Sequence, residues 1–436
     1  MLKKSVNSKN CIADSRCPGV FLILSVFFLN AVQAQSPPPP PPPTPGLGAP
    51  LQGLSPELLR RFDNGKAAFV SDETPSEGLG IVFNDSSCVR CHNAGAAGGG
   101  SNRLVTRIGR FHPDGSFDPL VAFGGPVIQA KGLGRVNAVT QITGEAVPIQ
   151  ANIVARRRTT SLFGLGLVEA IPGSAIQAES IRQATFSPLT AGKVNIVTDL
   201  RSGQSTIGRF GWKSQIGNLY DFSVDAYKEE MGIVVAGFTT IDPATGAVTV
   251  NPFPPGADGR RLDQENAPNG NTSLLAFDPI PGPDDADDST VKLLADFQAM
   301  LAPAPRGLSS PASVSGEVIF KSIGCINCHT QNWKTAADHP IPAFRNITIQ
   351  PYSDFLVHDM GSLGDGHPAG SAGPREMRTA PLWGLRFQGQ YLHDGRAGNL
   401  DAAILGHAGQ GATSAAAFSR LNSTQRSNLK AFLNSL

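Results

Sequence analysis

Residues 84–98 read NDSSCVRCHNAGAAG and residues 321–331 read KSIGCINCHTQ. Each contains C-x-x-C-H, once as Cys88, Cys91 and His92, and once as Cys325, Cys328 and His329. Cysteines at i and i+3 share one helix face, so each pair can close two thioethers onto the vinyl groups of one haem. The His that follows then sits below the iron as proximal ligand. Disulfides, a redox dithiol pair and a Cys/His zinc site are the other uses of such residues. Two copies with the same spacing in one chain argue against those uses. The spacing therefore predicts two covalently bound haem c groups. The expected fold is mainly α, with two cytochrome c-like haem domains, long loops, and a strand-containing insertion in the first.

Outward from the first motif, the N-terminus reads as an export signal. Lys3, Lys4, Lys9 and Arg16 give a basic start, Val20 to Leu29 is apolar, and Val32 and Ala34 suit cleavage after Ala34. The apolar run is short against the roughly 20 residues that span a bilayer, and an uncleaved anchor is the alternative. Cys11 and Cys17 lie in the segment to be removed, leaving four cysteines. The expected location is periplasmic or secreted, without stable membrane insertion.

The expected organisation is a signal peptide at 1–34, a proline-rich linker at 35–53, an N-terminal haem domain at 54–305 and a C-terminal cytochrome c domain at 306–436. SPELLRRFDNGKAAF, from Ser55, has a Ser cap and helical spacing of apolar residues. VNIVTDL and GAVTVNPF read as strands, and VKLLADFQAMLAP and STQRSNLKAFLNSL as helices. APAPRGLSSPAS, residues 302–313, reads as an interdomain linker, with the second unit starting at Val314.

Composition narrows the function. Among 436 residues, 36 Lys and Arg face 35 Asp and Glu, so the basic surplus that phosphate binding requires is missing and no nucleic-acid partner is expected. With 48 Gly and 35 Pro the chain is loop-rich. Aromatics make up only 7%, and a macrocycle can fill core space in their place. No Walker loop, HExxH or G-x-S-x-G elbow occurs.

Longer segments carry a resemblance. RTAPLWGLRFQGQYLHDGRAGNLDAAILGHAGQG (378–411) resembles the C-terminal signature of bacterial di-haem oxidoreductases, labelled peroxidases or thiol oxidoreductases. EGLGIVFNDSSCVRCHNAGAAGG, RRRTTSLFGLGLVEAIP, GRFGWKSQ, EEMGI, ENAPNGN and PYSDFLVHDMG point the same way, so the resemblance runs from about Leu54 to Leu436. A more distant likeness links the chain to di-haem cytochrome c peroxidases, to di-haem enzymes that oxidise a protein substrate, and to haem-c rubber oxygenases. In the peroxidases the second ligand of the C-terminal haem follows the His of an HDG at a fixed spacing. At that spacing beyond His393-Asp394-Gly395 this chain carries His407. The resemblance thus implies His329/His407 ligation, with Met360 as the rival because Met/His pairs are common.

The N-terminal haem resembles the peroxidatic one of those relatives. Glu169, embedded in GLGLVEAIP, is the candidate proton shuttle at this site, the alternative being a helix-terminal or ion-paired Glu. His112 is a candidate resting-state cap, Arg156, Arg157 and Arg158 are candidate propionate holders, and Trp212 or Trp383 is a candidate electron relay. The relatives hold calcium partly through a T-A-P stretch that reads Gln388-Gly389-Gln390 here, which weakens calcium binding by that route. NAPNGN, residues 266–271, offers a weak oxygen-ligand signal. Gln410 stands where relatives carry Glu.

The expected function is an exported di-haem c-type cytochrome oxidoreductase. It reduces hydrogen peroxide at the N-terminal haem, with electrons from a small donor protein, a cytochrome or cupredoxin, relayed by the C-terminal haem. The alternatives are a non-enzymatic electron-transfer cytochrome and a di-haem oxygenase or protein-modifying oxidase. Thiol oxidation gains no support, because haem attachment uses all four remaining cysteines.

Overall fold

Ser55 opens the first helix, its hydroxyl accepting from Leu58 N at 3.3 Å, with Pro56 in the first turn, where no amide partner is needed. The computed structural model describes residues 46–436 apart from 243–244, 246, 255–263, 265 and 286. The expected signal peptide and most of the proline-rich linker, residues 1–45, lie outside the described residues. The described residues between 46 and 436 form one compact unit. Its α-helices, among the described residues, are α1 (Pro56–Val70), α2 (Leu165–Glu169), α3 (Gly173–Phe186), α4 (Leu219–Ala226), α5 (Ser289–Met300), α6 (Pro311–Ser322), α7 (Leu400–Leu405), α8 (Ala412–Ser419) and α9 (Ser423–Ser435). No described helix is long and apolar enough to cross a membrane.

Two helix crossings organise the molecule. α1 buries Phe62, Gly65 and Phe69 on one stripe, and α5 answers with Val291, Leu294 and Phe297. Phe69 and Phe297 lie 4.7 Å apart between ring centroids. Gly65 sits at the crossing, where a Cβ would stand 2.2 Å from Leu293 O. α6 and α9 repeat this arrangement. Phe320 meets Phe432 at 5.3 Å, and a Cβ on Gly316 would stand 2.0 Å from Asn428 O. In both cases the glycine stands one helical turn before the phenylalanine, as GKAAF and GEVIF. Each phenylalanine then faces its motif histidine at the same 6.1 Å, Phe69 to His92 and Phe320 to His329.

A methyl group at either crossing would overlap backbone that cannot rotate away. Gly65→Ala and Gly316→Ala are each expected to destabilise by roughly 1–3 kcal/mol, as overpacking does. Denaturant midpoints check this, and wild-type midpoints in both variants would refute the close crossing.

The region between the motifs supplies a sheet. Strand Leu104–Phe111 pairs antiparallel with Ile153–Arg158, with Val105 opposite Arg157 and Arg107 opposite Ala155. It also pairs with Val127–Ile128 and Phe117–Asp118. Opposed residues share a face, so Val105, Arg107 and Arg157 point one way while Arg156, the preceding residue, is exposed on the other. The expected strands in VNIVTDL and GAVTVNPF are present as Ile196–Thr198 and Val248–Asn251. Residues 302–305 are packed, with Ala302 and Ala304 buried and Pro305 O accepting from Arg386 Nη2. The following helix starts at Pro311, earlier than the expected Val314, because Ser310 and Ser313 form a capping box.

Candidate functional site

Each C-x-x-C-H forms a tight turn in which the His amide bonds back to the first Cys carbonyl, His92 N to Cys88 O at 2.9 Å and His329 N to Cys325 O at 3.0 Å. This places two thiols and an imidazole at the wall of a cavity in both copies.

The C-terminal cavity holds about 260 Å³ and is lined by Cys325, Cys328, His329, His407 and Met360 among others. His329 Nδ1 donates to Tyr352 O at 2.8 Å, and His407 Nδ1 donates to Ala403 O at 2.9 Å. With each Nδ1–H tied to a main-chain carbonyl, both Nε2 atoms carry the lone pair. This is how a metal-ligating His is normally oriented. Burial lowers both pKa values, His329 to about 4 with the nearby His407 adding to the effect. Both rings are therefore neutral near pH 7, the form that ligates iron. Met360 belongs to the same wall: its Cε and His407 Cδ2 both lie 3.2 Å from where a Gly411 Cβ would be.

The N-terminal cavity holds about 160 Å³ and is lined by Cys88, Cys91, His92, Arg107, Arg157 and Glu230 among others. His92 is its one imidazole among the described lining residues, lowered to about 4 by burial. Glu230 lies in the π-turn that follows α4, and Asn84 Nδ2 donates to its Oε2 at 2.8 Å. Burial raises its pKa to about 7, against the smaller lowering effect of Asn84. Arg107, Asp225 and Gln215 share the cavity.

The other sequence candidates sort by position. Glu169 lines neither cavity; its Oε1 accepts from Leu219 N at 2.9 Å in the first turn of α4, the helix-terminal alternative of the sequence reading. His112 lines neither cavity and stands 4.0 Å from Asp118 Oδ2. Arg158 reaches both cavities. Trp212 also lines both, its indole N–H donating to Arg158 O at 2.8 Å, whereas Trp383 lines only the C-terminal one. Gln388 Oε1 accepts from Arg158 Nη1. In NAPNGN the Asn269 and Asn271 oxygens accept from backbone amides. Gln410 bridges Asp359 N at 3.0 Å and Ala191 O at 2.9 Å. Glu230 stands within the EEMGI segment, but nothing in the spacing of that segment signals burial against a cavity.

No curated protein matches this chain. A family model described as "Di-haem oxidoreductase, putative peroxidase" matches residues 147–436. The chain belongs to the di-haem oxidoreductase family. Membership makes it an oxidoreductase with two haem groups. Among solved structures, a MauG-like protein associated with microbial copper homeostasis is 14% identical, covering 91% of this chain and 94% of that one, with a TM-score of 0.38. The diheme peroxidase BthA from Burkholderia thailandensis is 15% identical, covering 88% and 86%, with a TM-score of 0.39. Likenesses this remote carry no argument about the site.

The residues of this di-haem oxidoreductase fit the two groups. Each cavity joins a Cys pair and a neutral imidazole to apolar walls. Buried guanidinium nitrogens, Arg157 Nη1 and Arg158 Nε, have no hydrogen-bond partner among the described residues. A haem propionate carries the negative oxygens that such donors require.

Proposed function

We propose that this di-haem oxidoreductase is an exported c-type peroxidase. It reduces hydrogen peroxide at the N-terminal cavity, with electrons from a small donor protein, a cytochrome or cupredoxin, relayed through the C-terminal cavity. The difference between the cavities carries this reading. The C-terminal one is lined by four imidazoles, of which His329 and His407 have Nδ1 tied to a main-chain carbonyl and so present Nε2 lone pairs, a set suited to electron transfer. The other offers one imidazole and a carboxyl that titrates near pH 7, a set suited to proton-coupled chemistry.

When bound, the haems supply redox-active iron for the two-electron reduction of peroxide to two waters. Cys88 and Cys91, and Cys325 and Cys328, hold them covalently. His92, and on the C-terminal side His329 and His407, would bind the iron of these groups. Arg157 and Arg158 receive propionates. At the N-terminal cavity, Glu230 Oε2 is held by Asn84, which leaves Oε1 to take a proton from one peroxide oxygen and return it to the other. Arg107 favours the anionic character that peroxide gains as it gives up that proton. Trp212, in the wall of both cavities, offers an aromatic path for electrons between them.

EPR of the ferric and half-reduced protein, combined with a peroxide assay, tests the proposal. The expected outcome is one low-spin bis-His signal, a second haem that becomes high-spin, and one peroxide consumed per two donor electrons. Two persistent low-spin signals without peroxide consumption would replace the proposal with the electron-carrier reading. Substrate oxygenation without a donor would replace it with the oxygenase reading.

A further inference from the structure

Trp212 is followed by a lysine with no exposure to solvent. Lys213 Nζ donates to Glu376 O at 2.5 Å and Gly373 O at 3.0 Å, and pairs with Asp365 Oδ1 at 3.1 Å. The other oxygen of the same carboxylate, Asp365 Oδ2, accepts from Arg157 Nε and Nη2, both at 2.7 Å. Asp365 itself is almost wholly buried. One carboxylate thus joins a residue beside the tryptophan to a residue lining the N-terminal cavity. The Glu376 carboxylate, near Lys213, pairs with Lys193 at 2.8 Å. Arg107 and Asp225, of opposite sign, both act on Arg157 from the cavity side and offset one another. Within the cluster two cations face one anion, and Arg157 Nη1 remains unpartnered. Arg378 fixes the backbone on the other side of the tryptophan, its N donating to Trp212 O at 2.8 Å and its Nε to Gly211 O at 2.6 Å.

A buried charge is screened far less than a surface one. A buried positive charge near a redox centre favours its reduced, more negative form, and a buried negative charge opposes it. We propose that Asp365 is a positioning residue that holds Arg157 at the N-terminal cavity and Lys213 beside Trp212, and that the net charge of this buried cluster tunes how readily the haems take electrons. This rests on the presence of two haems in the two cavities.

The test is a potentiometric titration of the full-length, haem-loaded protein, after pyridine haemochrome analysis has established two haems per chain. Asp365→Asn removes the buried negative charge and is expected to shift the midpoint potentials upward. Lys213→Met removes a buried positive charge and is expected to shift them downward. The Asp365→Asn/Lys213→Met double variant restores the wild-type count and is expected to return them towards wild type. Removing one partner of a buried pair strongly destabilises a fold, so a single variant can fail to fold. The triple variant Arg157→Met/Asp365→Asn/Lys213→Met removes two positive charges and one negative charge and is expected to lie below wild type. Unchanged potentials in folded variants, or shifts of the same sign for Asp365→Asn and Lys213→Met, would overturn the proposal. Fewer than two haems per chain would instead overturn the di-haem reading on which it rests.

Discussion

Glu230→Gln is expected to slow the reaction with hydrogen peroxide by about 10²–10⁴-fold, the range that a positioned acid–base group contributes. The glutamine keeps the shape and still accepts from Asn84, so the cavity stays filled while the proton-accepting oxygen is lost. The acceptor is the carboxylate, so the wild-type rate is expected to rise as pH rises through about 7 and then level off. The rate of the variant is expected to be flat over the same range. Stopped-flow absorbance across pH decides, and a wild-type rate or an unchanged pH profile in Glu230→Gln would remove Glu230 from the mechanism.

The same group affects stability. A carboxyl whose folded pKa is raised to about 7 keeps its proton from roughly pH 4.3 to 7, where the unfolded chain has lost it. The folded state binds the extra proton, so stability is expected to fall as pH rises through that window. Glu145 and Asp221, also raised to about 7 by burial, act in the same direction.

His407→Ala is expected to abolish the low-spin bis-His EPR signal and raise the potential of the C-terminal haem. His407 has its Nδ1 engaged by Ala403 O, so the wild-type imidazole is presented in a single orientation. Its loss leaves Met360 as the neighbouring donor, packed against the same point beside Gly411. Thioether ligation favours ferrous iron relative to imidazole. The far-red absorption band of methionine-ligated ferric haem would show the replacement. A high-spin product would show that Met360 stays out of reach. An unchanged spectrum would show that His407 is not a ligand.

Much of this was legible in the chain because short-range chemistry wrote it there. The C-x-x-C-H spacing is local, and the cap at Ser55 and the apolar stripes of α1, α5 and α9 are local too. His407 followed from its place beyond HDG, given the resemblance. What stayed hidden depends on residues far apart in sequence. Glu230 differs from Glu169 in that the fold turns it into the wall of the N-terminal cavity, whereas Glu169 lines neither cavity. Arg156 and Arg157 are neighbours with the same chemistry, and only the pairing of Ile153–Arg158 with Leu104–Phe111 sends one to solvent and the other to the cavity. Asp365 becomes informative once Arg157 and Lys213, both far upstream in the chain, close on it. The repeated G-x-x-x-F is present in the sequence as well, but unequal gaps to the haem motif mask it. Phe320 falls in the turn just before Cys325, whereas Phe69 is separated from Cys88 by the end of α1 and a loop.

The two crossings also differ in how much chain each must gather. About twice as much chain separates Phe69 from Phe297 as separates Phe320 from Phe432. The extra closure entropy is small, about 0.6 kcal/mol per doubling of loop length, but the order of events differs greatly. On a chain that emerges from its N-terminus, α1 and the first Cys pair wait without their helical partner until Met300 has appeared. The second pair comes out with α9 close behind. Of the four motif cysteines, Cys88 and Cys91 are thus left longest on an unclosed chain, and with the proposed export they are the pair that most needs protection from premature disulfide formation.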